Sequence, residues 1–137
     1  MTAKEIATLA HQGQFRRDGV TPYIEHPAAV ASVFSIGTWA EEIAWLHDVI
    51  EDTDWTAQDL LDHGINGLVV DSVMTLTHQK GESYEDYIAR ISLDDWATQV
   101  KLADIAANLA DNPTEKQRKK YAKAIGYLAA NLDFGQK

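Results

Sequence analysis

The residues with the clearest chemical potential lie in the run Trp45-Leu46-His47-Asp48-Val49-Ile50-Glu51-Asp52. On a helix, residues i and i+4 stand one above the other. His47 would then stack on Glu51 and Asp48 on Asp52, placing four ionisable groups on one face. Trp45, Leu46, Val49 and Ile50 would cover the rest of the helix with apolar surface. Carboxylates gathered in this way repel by about 0.2–0.5 kcal/mol per i,i+4 pair even in water, and by more when buried. A divalent cation relieves that repulsion, and imidazole nitrogen with carboxylate oxygen suits Mn, Fe or Zn. A lone His-Asp pair is more often part of a solvated acidic face, so a metal reading requires ligands from elsewhere in the chain.

Two other segments offer them. His26 stands immediately before Pro27, a residue that fits the first position of a helix, so His26 would project from a helix N-terminus. Asp104 is an acid among Leu102, Ala103, Ile105 and Ala106, with Asn108 one turn further on the same face. Alone it reads as a surface residue; beside His26, His47 and Asp48 it is a further candidate ligand. Glu51 and Asp52, one turn beyond His47 and Asp48, are placed to take a proton from a water molecule. Arg16 and Arg17 can offset phosphate charge, and arginine also stacks on flat bases.

Composition limits what such a site could serve. The chain has 137 residues, 45% hydrophobic and 24% charged, which is ordinary for one globular domain over 1–137. There is no cysteine, so disulfides and thiolate metal sites are excluded. The formal net charge of -9 argues against nucleic acid, whose backbone is bound through many Lys and Arg contacts. A small phosphorylated nucleotide needs only a few local cations. Met1 to Ala10 contains Lys4 and Glu5 and no apolar leader segment, and the apolar runs are too short to span a bilayer. A cytoplasmic location without membrane contact is expected, and a homo-oligomer stays open.

These residues must be positioned by helices. Ile6, Leu9 and Ala10 suit a first helix, and Pro27 to about Phe34 a second. Ile43, Leu46, Val49 and Ile50 predict one continuous third helix. Thr56 caps a short helix, and Val69, Val73 and Leu76, then Tyr84, Tyr87, Ile88 and Ile91, keep the helical period. Asp94 or Asp95 caps a helix carrying Trp96, Val100, Ala103 and Ala107. Thr114 with Gln117 resembles a capping box opening a last helix to about Leu132. Strand-like alternation is nearly absent. The predicted fold is all-α, with seven or eight helices in one bundle.

Four stretches together resemble the HD phosphohydrolase superfamily, and within it the hydrolase domain of RelA/SpoT proteins and its small stand-alone relatives. They are His11-Gln12-Gly13-Gln14-Phe15-Arg16, Pro22-Tyr23-Ile24-Glu25-His26-Pro27, Leu46-His47-Asp48-Val49-Ile50-Glu51-Asp52-Thr53 and Lys101-Leu102-Ala103-Asp104-Ile105-Ala106-Ala107-Asn108-Leu109. Each alone is modest; all four in order are highly specific. The resemblance implies a helical HD fold and one manganese-like ion on His26, His47, Asp48 and Asp104. It gives water activation and proton handling to Glu51 and Asp52. It turns Arg16 and Asn108 toward the nucleotide; Arg17, otherwise an exposed residue, and Lys101 are the further substrate-binding candidates. The reaction it implies removes pyrophosphate from the ribose 3′ position of guanosine tetra- or pentaphosphate, or of the adenosine analogue.

The chain departs from that pattern. Ile105 stands where the family usually has Arg or Lys, and Ala110 and Asp111 stand where Arg-Thr or Arg-Asp often follows. One cation is missing and Asp111 could repel phosphate, so the choice between guanine and adenine is left open. A nucleotide phosphatase acting on another phosphoester and a non-catalytic nucleotide-sensing partner are the alternative readings. Elsewhere the plain readings hold: His11 supports or packs, His63 ends a helix, and His78 has no role. Trp39, Trp45, Trp55 and Trp96 belong to the core or an interface, Tyr84 and Tyr87 pack, and Lys116 to Lys120 is a solvated face.

Overall fold

The computed structural model describes residues 1–132. Among the described residues there are nine helical segments and no extended strand: α1 (Ala3–Ala10), α2 (Glu25–Ala31), α3 (Trp39–Leu46), α4 (Val49–Asp52), α5 (Ala57–Asp62), α6 (Gly67–Leu76), α7 (Tyr84–Ile91), α8 (Asp95–Leu109) and α9 (Glu115–Asn131). Taking the single turn α4 with α3 gives eight, the upper number that the periodicity predicts.

The helix starts follow the expected chemistry. Thr56 and Thr114 accept from the N–H groups of Asp59 and Gln117, whose side chains reach back to the cap N–H groups. Thr2 and Glu5 make the same reciprocal pair at α1. These boxes satisfy first-turn donors that have no partner inside the helix. Asp94, not Asp95, caps α8.

α3 lies at the centre, packed against α1, α2, α6 and α8. Its buried stripe of Ile43, Ala44 and Leu46 continues into Val49, and Ile6, Val73, Val100 and Ile105, from the helices packed on it, are likewise without exposed surface. Each of the Val, Leu and Ile side chains contributes about 1.5–3 kcal/mol by leaving water. Trp39 and Trp96 meet edge to face at 4.8 Å, although Trp96 remains 37% exposed. His63 caps the end of α5 and donates from Nδ1 to the Asp59 carbonyl at 2.8 Å.

Two predicted boundaries differ. α2 begins at Glu25, so His26 and Pro27 sit inside its first turn, and it ends at Ala31. Proline is tolerated there because a first-turn N–H has no intrahelical acceptor. The predicted continuous helix through Ile50 breaks after Leu46, and His47 and Asp48 form a turn before α4. The cause is local. The Nδ1–H of His47 donates to the Ala44 carbonyl at 2.6 Å. In a continuous helix that carbonyl would serve the N–H of Asp48, and a side chain that takes it competes with the ladder.

Candidate active site

The break turns Asp48 back toward His47. Asp48 Oδ2 lies 3.0 Å from His47 Nε2 and 3.8 Å from His26 Nε2. Asp104, from the middle of α8, places Oδ1 2.7 Å from His26 Nε2 and 3.4 Å from His47 Nε2. Ligand atoms of His26, His47 and Asp104 lie within 4.8 Å of one another, and all three residues are buried. The structure thus brings together the four residues that the sequence nominates as ligands, from α2, the α3–α4 turn and α8.

The donor set fits a cation. With its Nδ1 proton on the Ala44 carbonyl, a neutral His47 directs the Nε2 lone pair at two carboxylates. Among the described residues this Nε2 is buried with no hydrogen-bond partner. Acceptors facing acceptors require a proton or a metal ion between them. Burial alone would push the His47 pKa down, but Asp48 and Asp104 carry it well above the usual histidine range. Burial likewise works against ionised Asp48 and Asp104. His47 nevertheless holds Asp48 down to about 2, and Lys101 with the two histidines holds Asp104 well below the carboxylate range. The arrangement could hold a divalent ion of the borderline kind that takes imidazole and carboxylate.

Supporting residues fix these ligands. Tyr23 donates its hydroxyl to Asp48 Oδ2 at 2.6 Å; burial and Asp48 push the phenol up, so it remains a donor. Lys101 Nζ lies 3.0 Å from Asp104 Oδ2 and packs over the Tyr87 ring. That leaves Oδ1 for the histidines and for Asn108, whose Nδ2 donates at 3.3 Å. Lys101 therefore stands on a candidate ligand rather than in the cavity that Arg16 and Arg17 line. His11, kept neutral chiefly by burial, bonds Gln14 Oε1 through Nδ1 at 2.8 Å, and Gln14 Nε2 donates to the Asp52 carbonyl at 2.9 Å. The first motif thus ties its loop to α4. His11 has the supporting place that the sequence gives it, whereas Tyr23 carries this work without having been singled out; its signal was its place inside a quoted motif.

Glu51 and Asp52 part company. With the helix broken, Glu51 does not form the expected column on His47; its Oε1 accepts from the main-chain N–H of His78 at 2.7 Å. His78, given no role by its sequence context, is held in turn by its Nε2 on the Glu82 carbonyl at 2.7 Å. Among the described residues the Asp52 side chain has no such tether. Burial first, then Asp48 and Glu51, raise its carboxyl to about 6, which suits a group that exchanges protons near neutral pH.

Arg16 and Arg17 stand at the mouth. A cavity of about 230 Å³ is lined by Arg16, Arg17, Tyr23, Asn108, Gln117 and Tyr121, among others. Arg16 Nη2 donates to Asp111 Oδ2 at 2.7 Å and to Asn108 Oδ1 at 3.4 Å. Arg17 donates to the Asp111 carbonyl and to Gln117 Oε1, both at 3.1 Å. Ile105 is fully buried, so the missing cation falls at a core position. Among the described residues no helix is long and apolar enough to cross a membrane.

Comparison with known proteins gives this geometry its context. No family model matches the chain. It is 38% identical, over 76% of its length, to the guanosine-3′,5′-bis(diphosphate) 3′-pyrophosphohydrolase of Haemophilus influenzae. It is 33% identical over 76% to the bifunctional (p)ppGpp synthase/hydrolase SpoT of Escherichia coli. It is 32% identical over 89% to a GTP pyrophosphokinase of Streptomyces coelicolor. The chain spans less than a fifth of these relatives, covering 17%, 16% and 16% of them. A solved structure of a metazoan SpoT orthologue, described as hydrolysing ppGpp, superposes with a TM-score of 0.75 at 26% identity, over 96% of this chain and 84% of that one. The all-helical fold, the motif-bearing segments and these matches make the chain a homologue of the SpoT/RelA proteins, built on the fold of the ppGpp-hydrolysing metazoan orthologue.

Proposed function

We propose that the chain hydrolyses guanosine tetra- or pentaphosphate at the ribose 3′ oxygen, releasing pyrophosphate and GDP or GTP, with one divalent ion, taken as manganese, on His26, His47, Asp48 and Asp104. The observation that carries this reading is the buried cluster in which an unpartnered imidazole nitrogen faces two carboxylates. It stands beside a carboxyl raised to about 6, in a homologue of proteins named for this reaction. A single catalytic unit over 1–137 is part of the proposal.

When bound, such an ion acidifies water and draws electron density from a phosphoryl oxygen. The protein's own residues do the rest. Tyr23 and Lys101 fix the carboxylates of Asp48 and Asp104. Asp52 takes the proton of the attacking water as oxygen adds to phosphorus, the bond from phosphorus to the 3′ oxygen breaks, and the proton returns from Asp52 to the freed 3′ oxygen, which leaves as a hydroxyl. Glu51, anchored on the His78 N–H, holds negative charge beside Asp52 and keeps its affinity for a proton high. Arg16, Arg17 and Asn108 face the nucleotide.

The test is a nucleotide panel with product analysis, with and without Mn. Pyrophosphate together with GDP from guanosine tetraphosphate, only with metal, is the expected result. Inorganic phosphate without pyrophosphate would replace this reading with a nucleotide phosphatase. An unchanged biological activity in Glu51→Gln would point to a nucleotide-sensing partner.

A further inference from the structure

The side chain of Arg16 is a wall between two cavities of opposite charge. On one side lies the 230 Å³ cavity, where Arg16 and Arg17 are the charged groups among its described lining residues. On the other lies a cavity of about 180 Å³ that reaches His26 and is lined by Asp18, Glu25 and Asp111 as well as Arg16. Whole-ligand pockets run roughly 300–1,000 Å³, so neither cavity alone takes a nucleotide and the two together divide one. A phosphate chain suits the cationic side. The acidic side repels phosphate and suits an uncharged group rich in N–H donors.

Asp111 is the acid of that cavity paired with Arg16, and it is where the chain departs from the family pattern. It is clamped from both ends. Its carboxylate receives Arg16 at 2.7 Å, and its carbonyl receives Arg17 at 3.1 Å. The next residue, Asn112, sits in the left-handed region at φ 50, a conformation that asparagine tolerates better than most. Yet the Asp111 side chain is 52% exposed while that of Arg16 is 15% exposed. The carboxylate thus keeps exposed surface on the cavity that it lines, beside a guanidinium flat enough to stack on a ring.

Resting on the alarmone reading above, we infer that Asp111 is a specificity-determining residue that accepts the N–H edge of the base and so selects guanine over adenine. Guanine offers adjacent N1–H and N2–H₂ donors, which match a carboxylate. Adenine offers one amino group next to a ring nitrogen that is itself an acceptor and would face the same oxygens. A site built to receive donors rejects an analogue that lacks them more strongly than an apolar slot rejects a size change.

Binding of GDP and ADP to the Mn-loaded protein, read by calorimetry, tests this without hydrolysis. The full chain is used, as wild type, Asp111→Ala and Asp111→Asn. The asparagine is isosteric and keeps one oxygen for Arg16, so it guards against a folding failure. Wild type should hold GDP at least about tenfold more tightly than ADP, as expected for one charge-assisted contact. Both variants should bring the two within about threefold. A ratio unchanged in both variants, or equal tightening toward both nucleotides, would overturn the inference and make Asp111 only a competitor for Arg16. Hydrolysis is scored separately. A wild type that prefers GDP but cleaves nothing removes the proposed reaction and leaves the selectivity. One that cleaves guanosine and adenosine substrates equally removes the selectivity and leaves the reaction. One that binds neither nucleotide overturns the selectivity, and the hydrolysis assay alone decides the reaction.

Discussion

Replacing Lys101 by methionine should harm the metal-free protein far more than the metal-loaded one. The Lys101 ammonium lies 3.0 Å from Asp104 Oδ2, with side chains 13% and 8% exposed. Removing one partner of a buried pair costs about 3–5 kcal/mol because the other charge is left uncompensated. Asp104 retains contacts to His26 and Asn108, which favours the lower figure, about 3 kcal/mol. For a chain of this length 1 kcal/mol moves Tm by roughly 3–4 °C, so the metal-free variant should melt about 10 °C below wild type. In the loaded protein the ion supplies the missing positive charge, and the loss should shrink to about 1 kcal/mol. Linkage turns the difference of about 2 kcal/mol into metal binding about 30-fold tighter in the variant. Thermal melts with and without Mn, together with Mn titration by calorimetry, measure both sides of that cycle. Equal destabilisation in the two states, or weaker metal binding in the variant, would refute the reasoning that Lys101 stands in for cationic charge at the centre.

Asp48→Ala should lose both bound metal, by elemental analysis, and turnover, because it removes one carboxylate from the cluster and the acceptor of the Tyr23 hydroxyl. Asp52→Asn should keep its metal and lose about 10²–10⁴-fold in kcat. Asp52 acts only when ionised, so the wild-type rate should climb with pH along a limb at or below about 6, and the variant should lack that limb. Outside the candidate ligand set, Arg90 binds both oxygens of Glu82 at 2.9 Å and lowers its carboxyl to about 2. A depressed carboxylate lends stability above its unfolded pKa and loses it as pH falls toward the folded one. Urea midpoints should therefore drop between pH 4.5 and 2, and drop less in Arg90→Met. Leu46→Ala should cost about 2–5 kcal/mol in urea, since Leu46 is fully buried in α3.

Much of this was legible in residue types and spacing. The all-helical fold follows from the 3.6-residue period together with caps such as Thr56 and Thr114, whose chemistry is local. His26, His47, Asp48 and Asp104 were nominated from three segments and meet in space. What stayed hidden depends on competition or distance. Periodicity cannot show that an imidazole will take the Ala44 carbonyl and end a helix with the apolar pattern still running. The clamp of Arg16 on Asp111 joins residues 95 positions apart, and no local pattern encodes it. Lys101 and Asp104 are three apart on one helix, so their pairing was available from spacing alone. Ile105, read as a missing cation, belongs to the core.

The failed helix prediction is also what makes the site possible. Successive residues of an unbroken α-helix point about 100° apart, from 3.6 residues per turn, so His47 and Asp48 could not both address one point. Asp48 instead adopts φ -105 and ψ -1, and its carboxylate comes within 3.0 Å of the His47 ring. The helical bond given up is worth about 0.5–1.5 kcal/mol, and the His47 donation to Ala44 offsets it at the same carbonyl. That bond also sets the tautomer that turns Nε2 toward the carboxylates. His47 thus ends the helix, orients itself and brings Asp48 alongside, three consequences of one hydrogen bond. Repulsion among the carboxylates persists at Asp52, whose carboxyl Asp48 and Glu51 still help to raise. Glu51 leaves for the His78 N–H, and Asp52 alone stays within electrostatic reach of the cluster.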